Sequence, residues 1–248
     1  MTVANWFEQF HDATGWHFVF IYNQSLGDQL ISGMLMTIKL ASYCLFFSAI
    51  IGVIGAWLQS SPLKSVQILV QSYVHFFRST PPVVQLLFFY FGLGVYTPTY
   101  DVGGWPQPII GNVGWAVISI SLFAGAFNIE ILRAGIEAVP IGTREAAQSL
   151  GYSRWQIYRQ IVLPLAFRNS LPALTNNIIN LVKMTTEAYV IAVHEVLYYS
   201  AQIWSDYNNV TEMMFVLFIF FISLVSIVAW FMNFLERHLR PKGYGALS

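Results

Sequence analysis

Residues 139–170 read VPIGTREAAQSLGYSRWQIYRQIVLPLAFRNS, a polar stretch set between two long apolar runs, and the fold is decided by what it can and cannot do. It is too polar to cross a bilayer and too regularly patterned to be a linker, so it reads as two short helices. Thr143 is placed to cap the first, Glu145 suits the positive first turn, and Gly151 can adopt the left-handed conformation that ends it. Ser153 then opens the second helix with Gln156 three positions on, the spacing of a capping box, and Pro164 falls near its end. Ala146, Ala147 and Leu150 give the first helix a small, flat apolar face onto which another protein could settle, with Arg144, Arg154 and Arg159 as a charged rim. An amphipathic hairpin resting on lipid headgroups fits the same periodicity, and both readings stand at this point.

Outward from this loop the chain is apolar. Of 248 residues 56% are hydrophobic and 10% charged, and the mean hydropathy is +0.57. Such a balance belongs in a bilayer. A formal net charge of zero supplies no global basic field for nucleic acid and no acidic tail. About 20 helical residues span roughly 30 Å of hydrocarbon, and five runs of that order are present: Leu30–Leu58, Val66–Val95, Val113–Val139, Leu171–Val193 and Met213–Leu235. Pro81 and Pro82 are expected to kink the second. The expected class is therefore an all-α membrane protein with five transmembrane helices. It comprises an extracytoplasmic segment 1–27, a transmembrane domain 28–240 with a cytoplasmic loop 140–168, and a tail 241–248. The opening residues contain Glu8 and Asp12 but no Lys or Arg, so the first span is expected to act as a signal-anchor rather than a cleaved signal peptide.

Charge sets the orientation, because Lys and Arg near span ends stay on the cytoplasmic side. Segments 1–27, 96–112 and 193–210 contain neither residue, whereas the opposite side holds Lys64, Arg144, Arg154, Arg159, Arg168, Arg237, Arg240 and Lys242. This predicts an outside N-terminus and a cytoplasmic C-terminus. The outer loop TPTYDVGGWPQP has the Pro, Gly and aromatic content of a turn at the water interface. Trp105, Trp115 and Trp204 read as interfacial anchors.

Glu145, Ala146, Ala147, Gly151, Ile161, Leu163 and Pro164 stand at the spacing of the EAA motif of binding-protein-dependent ABC importer permeases, which the chain thereby resembles. Phe76–Leu93, FFRSTPPVVQLLFFYFGL, is similar to the Arg, small residue, Thr, Pro, apolar, Val, Gln pattern of the polar amino acid permeases of the histidine, arginine and glutamine type. FNIEILRAGIEAVPIG, which leads into the loop, is a third match. The resemblance covers roughly residues 28–240. It implies an ABC type I importer permease fold in which the chain supplies half of a pore, beside a second, identical or homologous permease. Two ATP-binding subunits would dock on the EAA loops, and an extracytoplasmic binding protein would deliver the amino acid. The chain itself would be no enzyme and bind no cofactor, ATP and Mg being used by the ATPase partner, and it contains no phosphate-binding Gly-x-x-x-x-Gly-Lys-Ser/Thr.

Ionisable residues at membrane depth are costly and mark candidate pathways. Glu130 has two readings: an i,i+3 partner of Arg133, or a pore-facing group that takes the substrate's amino group. Lys183 and Glu187, four apart, either neutralise one another or line the pathway with Thr186. Related permeases read Lys-Asp-Thr-Ser-Leu here, whereas this chain reads Lys183, Met184, Thr185, Thr186, Glu187. Arg78 beside the proline pair is placed to stabilise a broken helix end at a gate, and Lys39 to snorkel or pair. Cys44 reads as packing, and His11, His17, His75, His194 and His238 are too scattered for a metal site. A secondary transporter is the alternative function, though it would usually need more spans or an inverted repeat. No nucleophile and base at catalytic spacing supports an intramembrane enzyme.

Overall fold

A computed structural model describes residues 15–239. The expectations for Glu8, Asp12, His11, Arg240, Lys242 and the 241–248 tail lie outside the described residues. After a single turn at Val19–Tyr22 the helices are α1 (Gln24–Gln59), α2 (Lys64–Ser79), α3 (Pro82–Leu87), α4 (Asn112–Glu137) and α5 (Ile141–Ser149). They continue as α6 (Arg154–Ile157), α7 (Leu163–Met184), α8 (Val196–Tyr207) and α9 (Val210–Leu239). Helices α1, α4 and α9 are each long and apolar enough to cross a bilayer.

Two expected spans are reshaped. The second does not kink but breaks: Thr80 is extended at φ −114° and ψ 142°, because the ring of Pro81 disfavours a helical conformation in the residue before it. Pro82 then opens α3 at the position where a missing N–H costs nothing, and α3 runs on through a π-helical turn, Phe88–Leu93. The helix expected as the fourth span starts at Leu163, so the end of the loop is already helix α7. Pro164 therefore lies in the first turn of α7 rather than near the end of the second short helix. Lacking an N–H to bond the turn behind it, Pro164 is preceded by a widened π turn, Tyr158–Val162.

The all-α expectation also misses a hairpin. Thr99–Val102 (β1) and Trp105–Pro108 (β2) pair antiparallel, with Val102 opposite Trp105. Gly103 and Gly104 close the two-residue turn at φ +62° and +88°, values that only glycine adopts freely.

The chain divides into two compact units. In the first, residues 15–44, 83–120 and 182–226, Leu30, Val196, Ile203, Met213 and Leu217 form the core. Glu195 is fully buried and caps α8, accepting the Tyr198 N–H at 2.9 Å. The Thr37 hydroxyl accepts the Val196 N–H at 3.1 Å. Glu212 accepts the His17 N–H at 2.7 Å, and the Asn209 amide donates to the His17 carbonyl at 2.9 Å.

In the second unit, residues 45–82, 121–181 and 227–239, close helix approach replaces bulk. A Cβ on Gly52 of α1 would stand 2.5 Å from the Asn128 Cβ of α4, so a small residue is required where these helices touch. The Asn128 amide donates to the Ser48 carbonyl at 3.1 Å and its oxygen accepts from Asn177 of α7 at 2.8 Å. One polar chain thus stitches α1, α4 and α7 where apolar surface alone gives little preference. Cys44, in the first unit, is buried as packing requires.

Candidate functional site

The 140–168 loop forms two helical pieces as expected, with one different start. Helix α5 begins at Ile141 behind Pro140, two residues before Thr143, and the Thr143 N–H bonds the Pro140 carbonyl at 3.1 Å. Pro140 stands at the N-cap, and no side chain caps the helix. The helix stops at Gly151, φ +85°, where the Gly151 N–H reaches Gln148 O at 3.0 Å and the Tyr152 N–H reaches Ala147 O at 3.1 Å. This pair of bonds is a Schellman motif. Ser153 and Gln156 close the capping box reciprocally, with the Ser153 N–H donating to Gln156 Oε1 at 2.8 Å and the Gln156 N–H to Ser153 Oγ at 3.4 Å.

The flat face divides in two. Ala147 turns inward with Val139, Ile157, Val162 and Ala166, and Ile161 packs against that cluster. Glu145, Ala146 and Leu150 stay outside, Leu150 being 78% exposed. Arg144 is not a rim residue, because its guanidinium donates to the Ile136 carbonyl at 2.8 Å and ties α5 to the end of α4. Leu163 and Pro164 are exposed in the first turn of α7.

A polar cleft of about 450 Å³ lies within the same unit, lined by Gln59, Gln71, His75, Arg78, Glu130 and Arg133 among others. Arg133 grips Glu130 with two donors, Nε at 3.2 Å and Nη2 at 3.1 Å, and reaches Glu137 at 2.6 Å. Arg78 stands 3.7 Å from the same Glu130 carboxylate and 5.1 Å from the Phe127 ring centroid. Glu130 is thus held in a fork by one guanidinium and flanked by another, as the i,i+3 reading of the sequence has it. Arg78 makes no such fork and lines the cleft. Gln67, Gln71 and His75 recur at i,i+4 along α2, a polar stripe on a segment that reads as plain span. That repeat was the available signal for this wall of the cleft.

Lys183, Thr186 and Glu187 belong to the other unit. The pairing of Lys183 with Glu187 is not found: among the described residues the ion pairs are those of Arg78 and Arg133 with Glu130 and of Arg133 with Glu137. Helix α7 ends at Met184 and a 3₁₀ segment, Thr185–Ile191, takes over. Its tighter winding carries Glu187 roughly a quarter turn away from Lys183. Seven residues is long for this conformation. The Thr185 and Thr186 hydroxyls fold back on the carbonyls of Val182 and Lys183 at 2.7 and 2.8 Å. The segment ends at Ala192 in the left-handed region, φ 56°, where the Asn112 amide donates to its carbonyl at 2.6 Å. Lys183 is exposed, while Glu187 is half-buried with Oε2 sealed from solvent and unpartnered. Lys39 is exposed, 6.0 Å from the Tyr43 ring. His194 lies tilted against Tyr198 with ring centroids 4.4 Å apart, and among the described residues no three metal-capable side chains gather.

Residues 48–241 match the family model described as binding-protein-dependent transport system inner membrane component. The octopine transport system permease protein OccM of Rhizobium radiobacter is 29% identical over 214 residues, 86% of each chain. The glutamate transport system permease protein GluC of Corynebacterium efficiens is 35% identical over 194 residues, 77% of this chain and 84% of that one. A solved structure of an amino acid ABC transporter with histidines superposes with a TM-score of 0.77 at 27% identity, covering 90% of this chain and 99% of that chain. The chain belongs to the binding-protein-dependent transport system inner membrane component family, the permeases of ABC importers. It is an inner-membrane transport subunit rather than an enzyme.

Proposed function

We propose that this chain is the permease subunit of an ATP-driven amino acid importer, forming half of the translocation pore and coupling to a cytoplasmic ATPase through residues 140–168. The observation that carries the reading is the exposed Glu145, Ala146 and Leu150 face of α5, held between two fixed ends: Arg144 bonded to α4 and the Gly151 turn. Helices α1, α2 with α3, α4, α7 and α9 are the five spans, with the N-terminus outside and the C-terminus in the cytoplasm, in keeping with the distribution of Lys and Arg. The partners are a second permease, identical or homologous, two ATP-binding subunits that use ATP and Mg, and an extracytoplasmic binding protein. Relatives named for octopine and glutamate transport support an amino acid as cargo.

The pathway residues divide by charge state. Glu130 is engaged by Arg133, so Arg78, which makes only the longer 3.7 Å contact with Glu130, is the cation of that cleft assigned to a substrate carboxylate. Glu187, half-buried and outside any ion pair among the described residues, is the acid assigned to an amino group, which favours a zwitterionic or basic cargo. Thr186 and Lys183 precede it in sequence. Co-purification of the tagged chain in mild detergent tests the coupling assignment. An ATP-binding subunit should be recovered with the chain and lost from E145K, whose exposed position leaves folding unchanged. Retention of the ATPase by E145K would place the docking face elsewhere, and a chain that transports without any ATPase would overturn the importer reading.

A further inference from the structure

Where α1 and α4 end, the loop and α7 leave an aromatic groove uncovered. It has a volume of about 360 Å³, with Leu132 and Ile136 of α4 as its floor and Trp57, Trp155, Tyr158 and Phe167 among its walls. A second cleft of about 360 Å³ shares Trp57 and Tyr158 and continues toward Ser60 and Ser61. Trp57 is 68% and Trp155 66% exposed, and the Trp155 ring stacks on Tyr158 at 6.3 Å. Trp57 lies two residues before the end of α1 and Ile136 one before the end of α4, so the groove sits at a membrane–water boundary with its floor on a span.

Cations adjoin its lining residues in sequence. Lys64, Arg154 and Arg159 are exposed and make no ion pair among the described residues. Each lies next in sequence or nearly so to a groove residue: Lys64 after Pro62, Arg154 before Trp155, Arg159 after Tyr158. Glu137, the acid that ends α4, is engaged by Arg133. An apolar slot on a spanning helix, a serine-lined mouth and three uncompensated cations complement an amphiphile with an anionic head and a hydrocarbon tail.

We propose that this groove binds one anionic phospholipid of the adjoining leaflet, an acyl chain lying against Leu132, Ile136, Trp57 and Trp155 and the phosphate held by Lys64, Arg154 and Arg159. The lipid would bridge the ends of α1 and α4 to the loop that carries α5 and α6. The exposed face of α5, Glu145, Ala146 and Leu150, takes no part and stays open to a protein partner.

Quenching by brominated lipid in nanodiscs tests this on the chain alone, so the outcome does not depend on the coupling assignment. The signal is the fluorescence difference between the chain and W57F/W155F, titrated with dibrominated phosphatidylglycerol or phosphatidylcholine. Half-quenching should need about tenfold less of the anionic lipid. K64Q/R154Q/R159Q should move that curve onto the phosphatidylcholine curve without changing the elution profile. Equal curves for the two lipids in the unaltered chain would reduce the groove to ordinary annular contact and overturn the proposal. Failure of both lipids to quench would overturn it as well.

Discussion

Replacing Gly151 separates backbone conformation from packing, because a Cβ built there meets nothing within 4 Å while the backbone sits at φ +85°. The cost of a side chain is therefore conformational. An L-residue forced into the left-handed region loses roughly 1–2 kcal/mol, asparagine less because it visits that region readily, and a β-branched valine the most. One or two kcal/mol shifts the population of the formed turn by about 5–30-fold. The two bonds that hold the turn, Gly151 to Gln148 and Tyr152 to Ala147, would open together, and with them the fixed end of α5. Binding-protein-stimulated uptake per ATP hydrolysed, measured in proteoliposomes, should fall in the order Gly, Asn, Ala, Val, with Asn close to Gly. Asparagine and valine differ little in size, so equal losses in both, or no loss in valine, would refute the assignment of Gly151 as the turn that holds the coupling face.

Removing Arg133 strips Glu130 of two charge-assisted bonds in a partly exposed pair, on the order of 1 kcal/mol; R133Q should lower the melting temperature in detergent, and E130Q/R133Q should regain part of the loss. Asn128→Leu breaks the stitch between α1, α4 and α7 and should cost about 1–2 kcal/mol, read as reduced thermal stability with an unchanged oligomeric profile. Glu187→Gln should leave expression and melting unaltered, while weakening uptake of a cationic cargo more than tenfold and of an acidic one little. Equal effects on both cargoes would remove Glu187 from the pathway.

Much of this was legible in the residues because it depends on neighbours a few positions apart. The Gly151 turn and the Ser153 capping box are local, and spacing alone specifies them; the Glu130–Arg133 pair was one of two readings that spacing left open. Features that depend on backbone winding were not. Lys183 and Glu187 share a face only if the helix stays α-helical, and the change to 3₁₀ at Thr185 separates them. Ala147 and Ala146 look alike in sequence, and only the packing of Val139, Ile157 and Ala166 decides which one turns inward. Helix α5 starts at Ile141, two residues before Thr143, with Pro140 at its N-cap, a start the spacing of Thr143 did not show. The glycine pair at 103 and 104 was a visible hairpin signal, masked by the proline and aromatic content around it.

The most direct measurement is amino acid uptake into proteoliposomes that contain the chain with its co-purified ATP-binding subunit, with the binding protein outside and ATP trapped within. The account predicts accumulation that requires luminal ATP and external binding protein, and that disappears in E145K while the pore subunits remain folded. Uptake that proceeds without luminal ATP, or that E145K leaves intact, would contradict it.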